Sequence, residues 1–205
     1  MSPIVLSGPD GSGKTTLARL LLSYARSRGI SAAVFWLRGS HLLASLILRL
    51  LGRFEVFRGL CNPYYRVCVR GALARLWPHV EFWSFLPYFM ARRALSLFFG
   101  VLICDRGALD FLVWLVVTLK RPSLLSSVYG RFLLATAAGE RCVYLTAPLG
   151  VLERRADVPL RFLAAEYVLY EALGRSLCRC TVRTDGGVGE SLAGVLKCLG
   201  LTLKK

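Results

Sequence analysis

The 205-residue chain predicts an α/β domain with a five-stranded parallel sheet flanked by helices in three layers. Three observations lead there. Apolar runs of strand length alternate with longer segments of helical period, the order expected when helices connect parallel strands. Gly29, Gly52 and Gly100 each stand just past a helical segment, where a helix stop belongs. The first apolar run leads straight into a glycine-rich turn that opens a helix, G-P-D-G-S-G-K-T-T at residues 8–16.

Strands are expected at 3–7, 32–37, 101–104, 142–146 and 181–184, and most read as the continuous apolar runs of buried parallel strands. Helices are expected between them. The first covers 15–28 and begins Leu17-Ala18-Arg19-Leu20. A second covers 42–51, and a long third covers 80–99, where Pro87 is expected to kink or split it. Later helices fit 108–120, 123–138, 149–155, 160–177 and 190–199.

No linker or repeat divides the chain, so a single domain spanning 1–205 is expected. Apolar residues make up 55%, yet the best candidate stretch, 111–119, meets Asp110 and then Arg106 and Asp105 when extended backwards. A spanning helix needs about 18–20 clean residues. No membrane span is expected, and no leader, since residues 1–16 belong to the loop unit. The net charge of +15 comes from 22 Arg and 5 Lys, scattered without a polybasic block. Such an excess suits a nucleic-acid footprint, or an Arg-biased composition with a cleft that handles several phosphates. The absence of any nucleic-acid module favours the second. Seven cysteines show no C-x-x-C pair and no Cys/His cluster, so they are expected as small buried residues in a reducing cytoplasm. Pairing among them would match intracellular proteins of heat-loving organisms.

The spacing G-x-x-x-x-G-K-[ST] makes the 8–16 turn a phosphate-binding P-loop. Gly8, Gly11 and Gly13 permit the dihedrals that turn backbone N–H groups, including that of Ser12, into one concavity at a helix N-terminus. Lys14 then reaches the β- and γ-phosphates, the Thr15 hydroxyl ligates Mg²⁺, and Thr16 continues the helix. Asp10 lies inside the loop, where a carboxylate facing a polyphosphate needs a partner of its own, such as a sugar hydroxyl or an Mg²⁺-bound water. Asp105-Arg106 follows Val101-Leu102-Ile103-Cys104 and opens a helix. An acid there can hold the hydration shell of Mg²⁺, and the adjacent arginine can bind a phosphate bidentately.

The loop G-x-D-G-S-G-K-T-T together with Asp105-Arg106 resembles the thymidylate kinase family of P-loop nucleoside monophosphate kinases. Trp36-Leu37-Arg38-Gly39-Ser40-His41, Asn62-Pro63-Tyr64-Tyr65 and Asp105-Arg106-Gly107-Ala108-Leu109-Asp110-Phe111 resemble its archaeal branch, over most of the chain. The resemblance implies a three-layer P-loop kinase fold with a short lid around 153–161. It implies ATP and Mg²⁺ as cofactors and a small nucleoside monophosphate, dTMP, as acceptor, with no obligate nucleic acid. It also implies a cytoplasmic homodimer, and the all-round apolar segment 109–119 is expected at its interface.

Site residues carry over on the same basis. Lys14, Thr15 and the backbone of Gly11 to Thr16 match the donor site, Asp10 the acceptor-facing acid, and Arg106 and Arg38 the arginines at the acceptor phosphate. His41 is expected to orient the loop, touch the acceptor or cap a helix. The family's thymine-reading Phe/Arg pair is not repeated in 77–87, where Phe82, Trp83 and Phe85 are the candidates to stack a base and Glu81 or Ser84 to bond to one. Arg154 and Arg155 are the lid candidates for the transferred phosphoryl group, with Arg161 a third. Asp185 and Gly186 would form a wall of the adenine site. The competing expectations are a P-loop kinase of another phosphorylated acceptor and, from a different class, a nucleic-acid-binding P-loop ATPase or switch.

Overall fold

The computed structural model describes residues 3–37 and 39–201. Its centre is a five-stranded parallel sheet formed by β1 (Ile4–Ser7), β2 (Ala32–Trp36), β4 (Val101–Asp105), β5 (Arg141–Thr146) and β6 (Cys180–Arg183), in the order β2-β4-β1-β5-β6. A short extended segment, β3 (Arg58–Asn62), lies outside that sheet and bridges Val67. The helices are α1 (Lys14–Ser27), α2 (Leu42–Leu51), α3 (Gly71–Leu95), α4 (Ala108–Leu119), α5 (Val128–Ala138), α6 (Leu149–Arg155), α7 (Leu160–Leu177) and α8 (Val188–Cys198). The three-layer α/β architecture of a P-loop kinase is what the chain adopts.

The alternation of side chains along each strand feeds two cores. Ile4 and Leu6 of β1 pack with Leu17 and Leu21 of α1 and with Val195 and Leu196 of α8 on one face. Val5, Leu102, Cys104 and Cys142 meet on the other face, beneath the side that carries α4, α5 and α7. The order places β1 between β4 and β5, with Leu6 in register with Asp105. The loop after β1 therefore emerges beside the end of β4, and ligands in such sheets bind at the carboxyl ends of the strands.

Several expectations are corrected. Pro87 does not divide the long helix; α3 runs unbroken from Gly71, nine residues before the expected start, through Pro78 and Pro87. A proline frees the carbonyl four residues earlier. Arg121 Nη1 donates to the one freed by Pro78, Ala74 O, at 3.3 Å, and Pro87 frees that of Trp83, on a residue 61% exposed. The 123–138 segment splits into a 3₁₀ turn and α5, which starts where the Ser127 side chain accepts the Gly130 N–H at 3.0 Å. Helix α4 is enclosed by its own chain: every residue from Ala108 to Thr118 is buried, among α3, α5 and α7. Its all-round apolarity is thus satisfied internally, and it presents no surface to a second copy.

The cysteine expectation is also overturned. Cys61–Cys68, Cys142–Cys178 and Cys180–Cys198 are disulfide-bonded, and among the described residues Cys104 is free and buried. Folding brings the end of α7 to β5 and the end of α8 to β6, with Cα atoms 4.6 and 6.2 Å apart, inside the usual range for a bridge. Linear spacing could not show this. No described helix is long and apolar enough to cross a membrane.

Candidate functional site

The loop between β1 and α1 is shaped by its glycines. Gly8 has φ +152° and packs on the Leu145 carbonyl, which a Cβ would strike; at Gly11, φ +81°, a Cβ would stand 2.6 Å from Leu152 O. The loop is thereby seated against β5 and α6. Asp110, in the first turn of α4, fastens its root: its carboxylate accepts from Ser7 Oγ at 2.5 Å, from the Gly8 N–H at 3.3 Å, from the Gly107 N–H at 2.8 Å and from Tyr170 Oη at 2.8 Å. One acid thus ties β1, the loop, α4 and α7 together.

Lys14 is 4% exposed and its ammonium curls back on the loop, donating to the Gly8 carbonyl, to Pro9 O at 2.8 Å and toward Ser12 Oγ at 3.5 Å. Burial, with Arg106 adding to it, lowers its pKa. Thr15 Oγ1 donates to Asp105 Oδ2 at 2.5 Å, while Asp105 Oδ1 is buried without a hydrogen-bond partner among the described residues. A hydroxyl and a carboxylate side by side, with one oxygen unspent, fit Mg²⁺, which takes oxygen ligands and keeps several from water and phosphate.

Across the same space, Asp10 is bonded at both oxygens: Arg106 Nη2 donates to Oδ1 and Tyr64 Oη to Oδ2, each at 2.6 Å. Burial alone would raise the Asp10 pKa, but the Arg106 and Lys14 charges override it and hold the carboxyl far below its usual range. Arg106 itself has φ +87°, a strained backbone for a side chain of its size, with its N–H on Leu6 O at 3.0 Å. The Asp10 N–H donates to Glu166 Oε2 of α7 at 3.3 Å, and burial together with the Asp10 charge pushes Glu166 up to about 8. The two acids are therefore pushed in opposite directions, Asp10 toward its charged form and Glu166 toward its protonated one.

One cleft of about 550 Å³ is lined by Asp10, Gly11, Gly13, Lys14, Thr15, Thr16, Asp105, Arg106 and Arg155, together with Arg19, Trp36 and 156–158. A second recess of about 230 Å³ lies beside it, between Gly13, Thr16, Leu17, Arg155, Thr184 and Gly186. Arg155 lines both, with Nη1 on Thr184 O at 2.9 Å. The lid region is accordingly compact: α6 ends at Arg155, and 156–159 leads directly into α7.

No family model and no curated protein sequence matches this chain. The site is therefore read from its own chemistry.

Other expected residues lie elsewhere. Phe85 is fully buried, stacked on Phe111 at 4.0 Å, and Phe82 is enclosed with Tyr129 and Phe132. Both belong to the core and have no face for a base. Glu81 is also buried, accepting from Ser40 Oγ at 2.5 Å and Trp77 Nε1 at 3.0 Å, and desolvation pushes it up to about 7; it anchors the loop after β2 and does not line the cleft. His41 starts α2 without a side-chain cap bond. Its ring is turned inward among Phe85, Tyr88 and Phe111, both nitrogens lack partners, and burial lowers it to about 4. Arg154 is exposed and lines neither cavity, and Arg161 likewise. Asp185 pairs with Arg183 at 2.6 Å and lines, with Gly186, a different recess from the one beside the phosphate loop. Arg38 lies outside the described residues.

Tyr64, Asp110 and Glu166 are site residues to which sequence reasoning gave no role, although Tyr64 and Asp110 stand in the segments that resemble the archaeal branch. Asp110 had a further signal, an acid in the first turn of an otherwise apolar helix. The part played by Tyr64 and Glu166 was hidden because they meet Asp10 from 54 and 156 residues away.

Proposed function

We propose that the chain is an ATP-dependent nucleoside monophosphate kinase, with dTMP as the acceptor implied by its resemblance to thymidylate kinases. One observation carries the reading: the cleft that holds the phosphate loop and Lys14 also holds the Asp10–Arg106 pair. Groups suited to a donor polyphosphate and a fixed guanidinium suited to a second phosphate share one space.

In this reading the N–H groups of Gly11 to Thr16 bind the donor phosphates, and Lys14 exchanges the Gly8 and Pro9 carbonyls for phosphate oxygens. Magnesium, held by Thr15 and Asp105, supplies charge neutralisation and orientation when bound. Arg106, set by Asp10, holds the acceptor phosphate. One of that phosphate's oxygens attacks the γ-phosphorus in line as the bond to the bridging oxygen breaks and ADP leaves. No general base is needed, because the acceptor phosphate is already anionic near neutral pH. Arg155 is placed to offset charge on the transferred group, and the recess at Gly186 is the place for the donor base. Trp36, 53% exposed at the cleft margin, is the aromatic surface open to an acceptor base.

A coupled ADP-release assay across a panel of monophosphates, with Lys14→Ala as the blank, tests this. Turnover with dTMP is expected, and silence across the panel overturns it. The enclosure of Phe82 and Phe85 favours a second reading, transfer to a phosphorylated acceptor other than dTMP, which the same panel detects. ADP release at full rate without acceptor, or stimulated by DNA, would instead indicate an ATPase. A homodimer is the expected assembly; with α4 enclosed, we place its interface on the exposed face of α2, where Leu42, Leu43, Leu46 and Leu50 are each 45–57% exposed beside Trp83.

A further inference from the structure

Resting on the kinase reading, we propose that Tyr64 is a positioning residue for the acceptor phosphate, delivered to the cleft by the hairpin that the Cys61–Cys68 disulfide closes. Asp10 has two carboxylate oxygens; Arg106 takes one and Tyr64 the other. With both engaged the carboxylate is held against rotation, and with it the guanidinium nitrogen bonded to it. Tyr64 acts through Asp10 on Arg106.

The phenol is itself held in a slot. Its ring stacks on the Trp114 indole, centroids 5.1 Å apart and planes 18° from parallel. On the loop after β2, a Cβ at Gly39 would stand 3.5 Å from ring atom Cδ2, ordinary contact distance. The neighbouring residues brace the turn: Asn62 Oδ1 accepts the Tyr65 N–H at 3.2 Å, and Tyr65 Oη donates to Ser40 O at 3.4 Å. Val67, buried, bridges Arg58 and Asn62, and the disulfide joins the two arms at Cys61 and Cys68. The hairpin thereby links the loop after β2 to Asp10 of the phosphate loop, a second tie beside the one Asp105 of β4 makes to Leu37 and Thr15. Lys14 is held by the Gly8 and Pro9 carbonyls and Thr15 by Asp105, so the donor side has supports of its own.

Tyr64→Phe removes one hydrogen bond to a charged group and keeps the stacking. We expect the acceptor KM to rise about fivefold to tenfold with the ATP KM unchanged. Cys61→Ser/Cys68→Ser should shift the acceptor KM in the same direction, and adding it to Tyr64→Phe should produce little further change, the non-additivity of residues that act as one unit. A purely structural role would instead lower thermal stability and weaken both substrates together. Inorganic phosphate, titrated calorimetrically into enzyme saturated with a non-hydrolysable ATP analogue, reads the Arg106 site whatever the acceptor is. Its affinity should fall by the same factor in Tyr64→Phe. A change of less than about twofold in phosphate affinity, an equal loss of ATP-analogue affinity, or no phosphate binding by the wild type would overturn the role of Tyr64. If the wild type turns over no monophosphate, the kinase reading falls alone, and the phosphate titration still decides this one.

Discussion

Thr15 and Asp105 spend one hydrogen bond on each other and leave Asp105 Oδ1 without a partner. That asymmetry makes Asp105→Asn an informative substitution, since Asn keeps an acceptor for Thr15 but removes the charge. Mg²⁺ should bind about 10–100-fold more weakly, read as a shifted Mg²⁺ dependence of ADP release; an unmoved dependence would count against the metal assignment. Glu166 governs a different variable. Its folded value of about 8 lies above the ordinary 4.5, so between these the folded protein carries a proton that the unfolded chain has lost. Stability therefore falls as pH rises through that window and levels off above it. His41, lowered to about 4, acts in the opposite sense between 4 and 6.5, and Glu81, raised to about 7, acts in the same sense as Glu166, so the substitution is compared with the wild type at each pH. Glu166→Gln should gain melting temperature over the wild type increasingly from pH 5 to 8.5. A constant difference across that range would refute the raised value.

Among the elements, strands and loops were legible wherever the deciding residues are neighbours in the chain. β1 with its glycine loop, and β4 with Asp105-Arg106, carry their chemistry in consecutive positions. β3 was missed, since R-G-L-C-N has neither an apolar run nor an alternation to announce it. For α4 the hydrophobicity was read correctly and its partner was not, because a pattern shows that a surface must be covered without naming α5 and α7 as the cover. The exposed leucines of α2 now carry the dimer prediction: Leu46→Arg should leave a folded monomer by light scattering, and an unchanged mass would move the interface elsewhere. The Cys142–Cys178 bridge joins β5 to the end of α7 across 36 residues. By the loop-entropy relation its removal as Cys142→Ser costs about 3–4 kcal/mol, to be read as a lowered denaturant midpoint, and a loss near zero would mean that the bridge is dispensable.

Taken whole, the molecule carries +15, and among the described residues two arginine salt bridges are well buried, Arg92–Glu140 and Arg106–Asp10. Most of the other basic side chains among the described residues are exposed, Lys14 being a buried exception, and their mutual repulsion is relieved by added salt. What holds so charged a surface together is partly covalent. Two of the three bridges lie in the final third of the chain, enclosing 142–178 and 180–198 end to end. A force applied at the two ends of the protein bypasses everything inside those loops and inside the hairpin at 61–68. Stretched to its limit, the oxidised chain would fall roughly 200 Å short of the reduced one, so β6 and α8 stay leashed to β5 even after every hydrogen bond between them has broken.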